Sequence, residues 1–88
     1  MAEYRLLIKP SAAKEMEAIG VKRDRQRLVS RIRSLAGDPR PSGCEKMAGP
    51  QGLFRVRRGH YRVLYVIDDA ERTVDIIKIG HRREVYRT

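Results

Sequence analysis

The sequence holds a single cysteine, Cys44. An internal disulfide is therefore excluded, and so are cysteine-rich zinc sites, which need several ligands at short spacing. Long hydrophobic runs are also missing: no stretch approaches the roughly 18 apolar residues that span a bilayer. The opening MAEYRLLIKP interrupts its apolar residues with Glu3, Arg5 and Lys9 and offers no cleavage site. This predicts no signal peptide and a soluble, cytoplasmic chain without a membrane partner. There is no internal repeat, no low-complexity tract and no dividing linker, so residues 1–88 are expected to form one domain. A chain this short buries only about two-thirds of its unfolded surface, which demands an economical core.

Acidic residues are outnumbered nearly two to one by basic ones. Eleven Asp and Glu face twenty Lys and Arg, leaving a net charge of +9, with an isoelectric point near 10.4. Such an excess attracts polyanions, of which nucleic acid is the commonest for a soluble protein. A basic protein that pairs with an acidic protein would show the same imbalance.

What is present divides into a helical half and a β half. Residues 3–9 (EYRLLIK) read as a first strand. Pro10-Ser11 opens a short helix over 11–19, with Ala12, Met16 and Ile19 on one face and Gly20 as a stop. A second helix covers 21–36. Its apolar stripe is Val21, Leu28, Val29, Ile32, Leu35 and Ala36, while arginines and Lys22 spread over the remainder. Gly37 suits a left-handed cap, and Asp38-Pro39-Arg40-Pro41 prevents continuation. Residues 40–52 read as a connecting loop. Residues 53–58, 61–68 and 72–80 are rich in Val, Ile, Tyr and Phe. They are separated by Gly59-His60 and by the acidic tip at 68–71, so they predict a three-strand meander. The fold class expected is α+β, order β-α-α-β-β-β. Two N-terminal helices would pack on one face of a small, mostly antiparallel twisted sheet.

The hairpin is the informative segment. Phe54 and Val56 share one parity of their strand, Arg55 and Arg57 the other. Strict alternation requires Phe54 and Val56 to join the face of Val63 and Tyr65. Arg62 then falls opposite Arg57 or Arg55 on the other face. Like charges directly opposed on a sheet destabilise it by roughly 0.2–1 kcal/mol per pair. Selection for folding alone favours Glu or Thr there. Clustered guanidiniums instead suit phosphate oxygens, to which arginine offers planar, bidentate donors. The bland alternative is a solvated face whose arginines confer solubility. The ending HRREVYRT adds His81, Arg82, Arg83 and Tyr86. Histidine titrates near neutrality, and tyrosine can stack on an unpaired base. A surface histidine and a packing tyrosine are the ordinary readings of such residues.

The stretches LFRVRRGHYRVLYVIDD (53–69) and VDIIKIGHRREVYR (74–87), with KMAG at 46–49, resemble the RelE branch of the RelE/ParE toxin superfamily. The pattern is basic-x-basic-x-G-x-Y-R-x-x-Y, a strand, then G-H-R-R-x-x-Y, and the likeness spans nearly the whole chain. It implies the same helices-on-sheet fold and a type II toxin that cuts messenger RNA in the ribosomal A site. The RNA's own 2′-hydroxyl would attack the adjacent phosphate, with no metal or cofactor. By the resemblance, Arg55, Arg57 and Arg62 surround the scissile phosphate, His81 or Arg82 marks the acid end, and Tyr86 orients a base. Lys46, Arg58 and Arg83 are expected to contact RNA. The partners implied are a RelB-like antitoxin, the ribosome and mRNA; the basic helix and the apolar sheet edge are candidate antitoxin-docking surfaces.

One departure matters. The family carries lysines where this chain has Arg55 and Arg57, and arginine, with a pKa above about 12, does not act as a base. This leaves His81 as the candidate general acid, His60 as a weaker one, and the base open between the ribosome and a strained substrate. Two readings compete with the nuclease: a ParE-like inhibitor of DNA gyrase, and a non-catalytic nucleic-acid-binding module. The His and Tyr of the ending favour the nuclease.

Overall fold

In a computed structural model of the chain, which describes residues 3–48 and 52–81, the first helix starts on a proline. Pro10 occupies its first turn, where a missing N–H costs nothing and a fixed φ favours the helix. The elements in chain order are β1 (Arg5–Ile8), α1 (Pro10–Glu17), α2 (Lys22–Ser34), β2 (Glu45–Lys46), β3 (Leu53–Arg58), β4 (Tyr61–Asp68) and β5 (Thr73–His81). Helix α1 ends two residues before its expected limit, with the Ala18 N–H donating to the Lys14 carbonyl at 3.0 Å. Helix α2 buries Leu28 and Ile32, followed by Leu35 one turn on. This spacing lays one apolar stripe on the sheet and leaves the arginines outside. Among the described residues, no helix is long and apolar enough to cross a membrane.

The strands form one sheet in the order β1-β5-β4-β3-β2. Strand β1 runs parallel to β5 and every other pair is antiparallel. The expected α+β arrangement, two helices on one face of a mostly antiparallel sheet, is therefore present, with a fifth strand added. Glu45 and Lys46, expected within a loop, pair with Arg55 and Phe54 as a two-residue edge. Val56, Val63, Tyr65, Ile67, Val74, Ile76 and Ile79 meet Ala12, Ile19, Leu28, Ile32 and Leu35 in the core. The Tyr65 hydroxyl, fully buried, donates to the Pro39 carbonyl at 2.8 Å and pins the segment after α2 to the sheet. Burial pushes that phenol's pKa well above its ordinary value.

Three local devices set the geometry of the hairpin and of the last strand. Gly59 takes φ +61° in the two-residue link between β3 and β4, the left-handed backbone that tight hairpins draw from glycine. It fixes the register at Arg58↔Tyr61 and Arg57↔Arg62. Gly52 (φ +79°) enters β3 so close to β4 that a Cβ there would stand 2.7 Å from the Ile67 carbonyl oxygen. A register shift opposite Leu64/Tyr65 makes Lys78 the partner of Leu64 and Ile76 the partner of Tyr65, leaving Ile77 as the extra residue of a bulge. Beyond Ile76 strand β1 no longer covers β5. Glu15 of α1 reaches that edge, accepting from the Ile79 N–H at 3.0 Å and from Lys78 Nζ at 3.1 Å.

Candidate functional site

Alternation along β3 and β4 sorts their side chains onto two faces. Val56 pairs with Val63 and Phe54 with Tyr65 on the helix side. The opposite face carries two rows across the strands. One is Arg57, Arg62 and Gly80; the other is Glu45, Arg55, Leu64 and Lys78. Arg57 and Arg62 are thus cross-strand partners, a like-charge pair that costs stability. Gly80 contributes no side chain beside Arg62.

These arginines do not fan into solvent together. Arg62 is 4% exposed and Arg55 8%, whereas Arg57 and Arg58 are exposed. A guanidinium keeps its charge on burial, so it must be held by acceptors. Arg55 donates to Glu45 Oε2 at 2.8 Å, and Arg62 reaches the Tyr61 carbonyl at 3.5 Å, the long limit for a hydrogen bond. Among the described residues, no buried side-chain nitrogen or oxygen lacks a partner. The resulting surface is charged and, around Arg55 and Arg62, poorly solvated. Such a surface interacts with an anion more strongly than the same charges would in water.

The other expected residues lie elsewhere. The bulge at Ile77 exchanges the parity of β5: Val74 and Ile76 face the core before it, and Ile79 faces the core after it. His81 consequently falls opposite Tyr61 on the helix side, 6.0 Å between ring centroids from both Tyr61 and His60. It lines a depression with Glu15, Ala18 and Ile19 of α1 and the segment after it. His81 therefore does not join the arginine face, contrary to the expectation of a shared centre. Lys46 pairs with Phe54 and turns away from Arg55. It shares a depression with Arg40, whose guanidinium sits 5.3 Å over the Phe54 ring. Arg58, opposite Tyr61, also turns to the helix side. Arg82, Arg83 and Tyr86 lie outside the described residues.

Sequence reasoning passed over Glu45, the carboxylate that β2 brings to Arg55. Two residues carry no periodicity; only an acidic residue shortly upstream of a basic strand hinted at it. No group of three or more His, Cys, Asp or Glu among the described residues is placed to hold a metal ion.

Comparison with known proteins bears on this geometry. The ParE toxin family of type II toxin–antitoxin systems (parDE) matches residues 6–86. Toxin RelE of Mycobacterium tuberculosis is 38% identical over 74 residues, covering 74% of this chain and 76% of that protein. The chain belongs to the RelE/ParE toxin superfamily. It is a RelE-type toxin of a type II toxin–antitoxin system. A second relative, Toxin RelG of the same organism, is 53% identical over 36 residues, 41% of each chain. In three dimensions this RelE-type toxin resembles a chain of the RelBE toxin–antitoxin complex of M. tuberculosis. That match has a TM-score of 0.79 at 28% identity and covers 92% of this chain and 100% of the other.

Proposed function

We propose that this RelE-type toxin is a ribosome-dependent endoribonuclease that cleaves mRNA in the A site and is restrained by a RelB-like antitoxin. The observation that carries the reading is the Arg57–Arg62 cross-strand pair with Arg55 on the same face, two of the three buried. An anionic linkage lying between them would meet planar, bidentate donors from two strands. In the proposed reaction the 2′-hydroxyl attacks the adjacent phosphorus, and the bond to the 5′-oxygen breaks. The products are a 2′,3′-cyclic phosphate and a 5′-hydroxyl. Arg62 and Arg57 clamp the phosphate and neutralise the phosphorane, an electrostatic contribution of about 10²–10³-fold per donor.

Arginine does not accept the 2′-hydroxyl proton. Glu45, held beside Arg55 on this face, is the carboxylate assigned to that role. His81 faces the helices, so no proton is routed through it. The resemblance assigns the acid end to His81 or Arg82 and base stacking to Tyr86; with His81 on the helix side, the leaving 5′-oxygen takes its proton from water positioned beside Arg82. The ribosome supplies alignment, which is worth far more than any one side chain here. An antitoxin partner is proposed because the similar M. tuberculosis chain is seen in a toxin–antitoxin complex.

Primer extension on a translated message, with the wild-type chain and Arg62→Ala side by side, tests the reading. Ribosome-dependent breaks with 5′-hydroxyl ends are expected, falling about 10²–10³-fold in the variant. Inhibition of gyrase supercoiling without any message cleavage would instead assign the chain to the ParE mode of action.

A further inference from the structure

Strand β1 does not follow β5 to its end. It pairs as far as Ile8↔Ile76, and the Lys9 N–H donates to the Ile76 carbonyl at 3.0 Å. Pro10 then has no N–H to offer and opens α1. Among the strands, residues 78–81 of β5 are therefore paired with β4 alone. On their outer edge Glu15 takes the place of a strand. Its Oε1 accepts from the Ile79 N–H at 3.0 Å and its Oε2 from Lys78 Nζ at 3.1 Å.

The position of Glu15 on its helix is anomalous. Ala12, Glu15 and Met16 stand at i, i+3 and i+4 on α1, the stripe turned to the sheet, and Ile19 continues it. Ala12 and Ile19 are buried and Met16 packs against the core. An apolar residue would serve burial better there. A carboxylate 32% exposed has given up much of its water and must be compensated. Both of its oxygens are, one by backbone and one by an ammonium.

We infer that Glu15 is a positioning residue of the candidate site: by standing in for β1 it fixes where the end of β5 lies relative to the arginine face. This role rests on the nuclease reading and deepens it. Ile79 is followed by Gly80, the cross-strand partner of Arg62, and by His81, the last residue of the strand. Arg82, assigned to the acid end, is one peptide link further, about 3.8 Å between Cα atoms. Lys78 stands in the row of Glu45, Arg55 and Leu64, so one carboxylate orders both the backbone of β5 and a cation of that row. A misplacement of about 1 Å in such groups costs on the order of 10²-fold in rate. Guarding an open sheet edge against other chains is the plainer role for a charge in this place. It predicts altered self-association at an unchanged rate.

The test compares the full chain with Glu15→Ala and Glu15→Gln. Two quantities are read: ribosome-dependent message cleavage per folded molecule, resolved into kcat and KM, and hydrogen exchange at the Ile79 amide. Glutamine keeps an oxygen for the Ile79 N–H; alanine does not. In Glu15→Ala the amide should exchange about tenfold faster. Its kcat should fall about 10–100-fold with KM within about threefold, the pattern of a group that acts in the reaction rather than in binding. Glu15→Gln should recover both. The positioning role stands if kcat falls where the Ile79 amide opens and holds where it stays protected. It fails if the amide is equally protected in all three proteins, or if rate and protection part company in either variant. It fails also if self-association alone changes, which leaves Glu15 a guard of the edge. Failure of the nuclease reading looks different: the parent itself would leave translated message uncut, while the Ile79 amide would still open in Glu15→Ala.

Discussion

The two faces of the β3–β4 hairpin are built by alternate residues of the same strands, yet they obey opposite rules. On the helix side Val56 meets Val63 and Phe54 meets Tyr65, apolar against apolar within a closed core. One residue along, Arg57 meets Arg62, cation against cation. The first face is what hydrophobic burial produces, at about 25 cal/mol per Å² removed from water. The second sets like charges side by side, a pairing that by itself opposes folding. Where a sheet tolerates a local penalty that a single substitution would remove, function is the explanation to test.

The largest effect should come from the helix side. Leu28→Ala, at a fully buried core position, should cost about 2–5 kcal/mol of stability in urea denaturation while leaving cleavage per folded molecule unchanged. Gly52→Ala comes next. Its Cβ would press on the Ile67 carbonyl from a left-handed backbone, costing about 1–3 kcal/mol and loosening the entry into β3. The most diagnostic change is smaller and of opposite sign. Arg57→Thr should raise stability by about 0.2–1 kcal/mol by relieving the cross-strand repulsion, while lowering message cleavage. A variant that loses both stability and activity would show that Arg57 holds the fold, erasing the distinction between the faces.

The smallest effect concerns a contact belonging to neither face. Arg40, and then Tyr4, hydrogen-bond Asp69 and hold its carboxyl at about 2, below the ordinary 3.8. A depressed folded pKa means the contribution is complete above about pH 4 and disappears as pH falls through about 2. Asp69→Asn should lower stability slightly at neutral pH and flatten that acid limb, so that variant and parent converge near pH 2 in urea denaturation.

Much of this was legible in the sequence. Alternating Val, Ile, Tyr and Phe marked the meander, and Gly59-His60 set a register that places Arg62 opposite Arg57, one of the two pairings alternation allowed. The apolar spacing of Leu28, Ile32 and Leu35 located α2 and its buried side. Two things were not legible. Strand β2 is two residues long, too short for any period, and with it went Glu45. The bulge at Ile77 leaves no compositional trace, because Ile76, Ile77 and Ile79 are alike. Counting parity from Ile76 puts His81 with the arginines; one extra residue puts it with Tyr61. Polar positions after an irregularity inherit an orientation that local pattern does not encode.

The Arg57–Arg62 juxtaposition also couples occupancy to durability. A polyanion or acidic chain that binds the folded arrangement of these charges more tightly than the unfolded chain, itself a polycation of net charge +9, raises the melting temperature by mass action. Limited proteolysis of the chain alone and with such a companion is expected to show slower cleavage in the second case, by the same mass action.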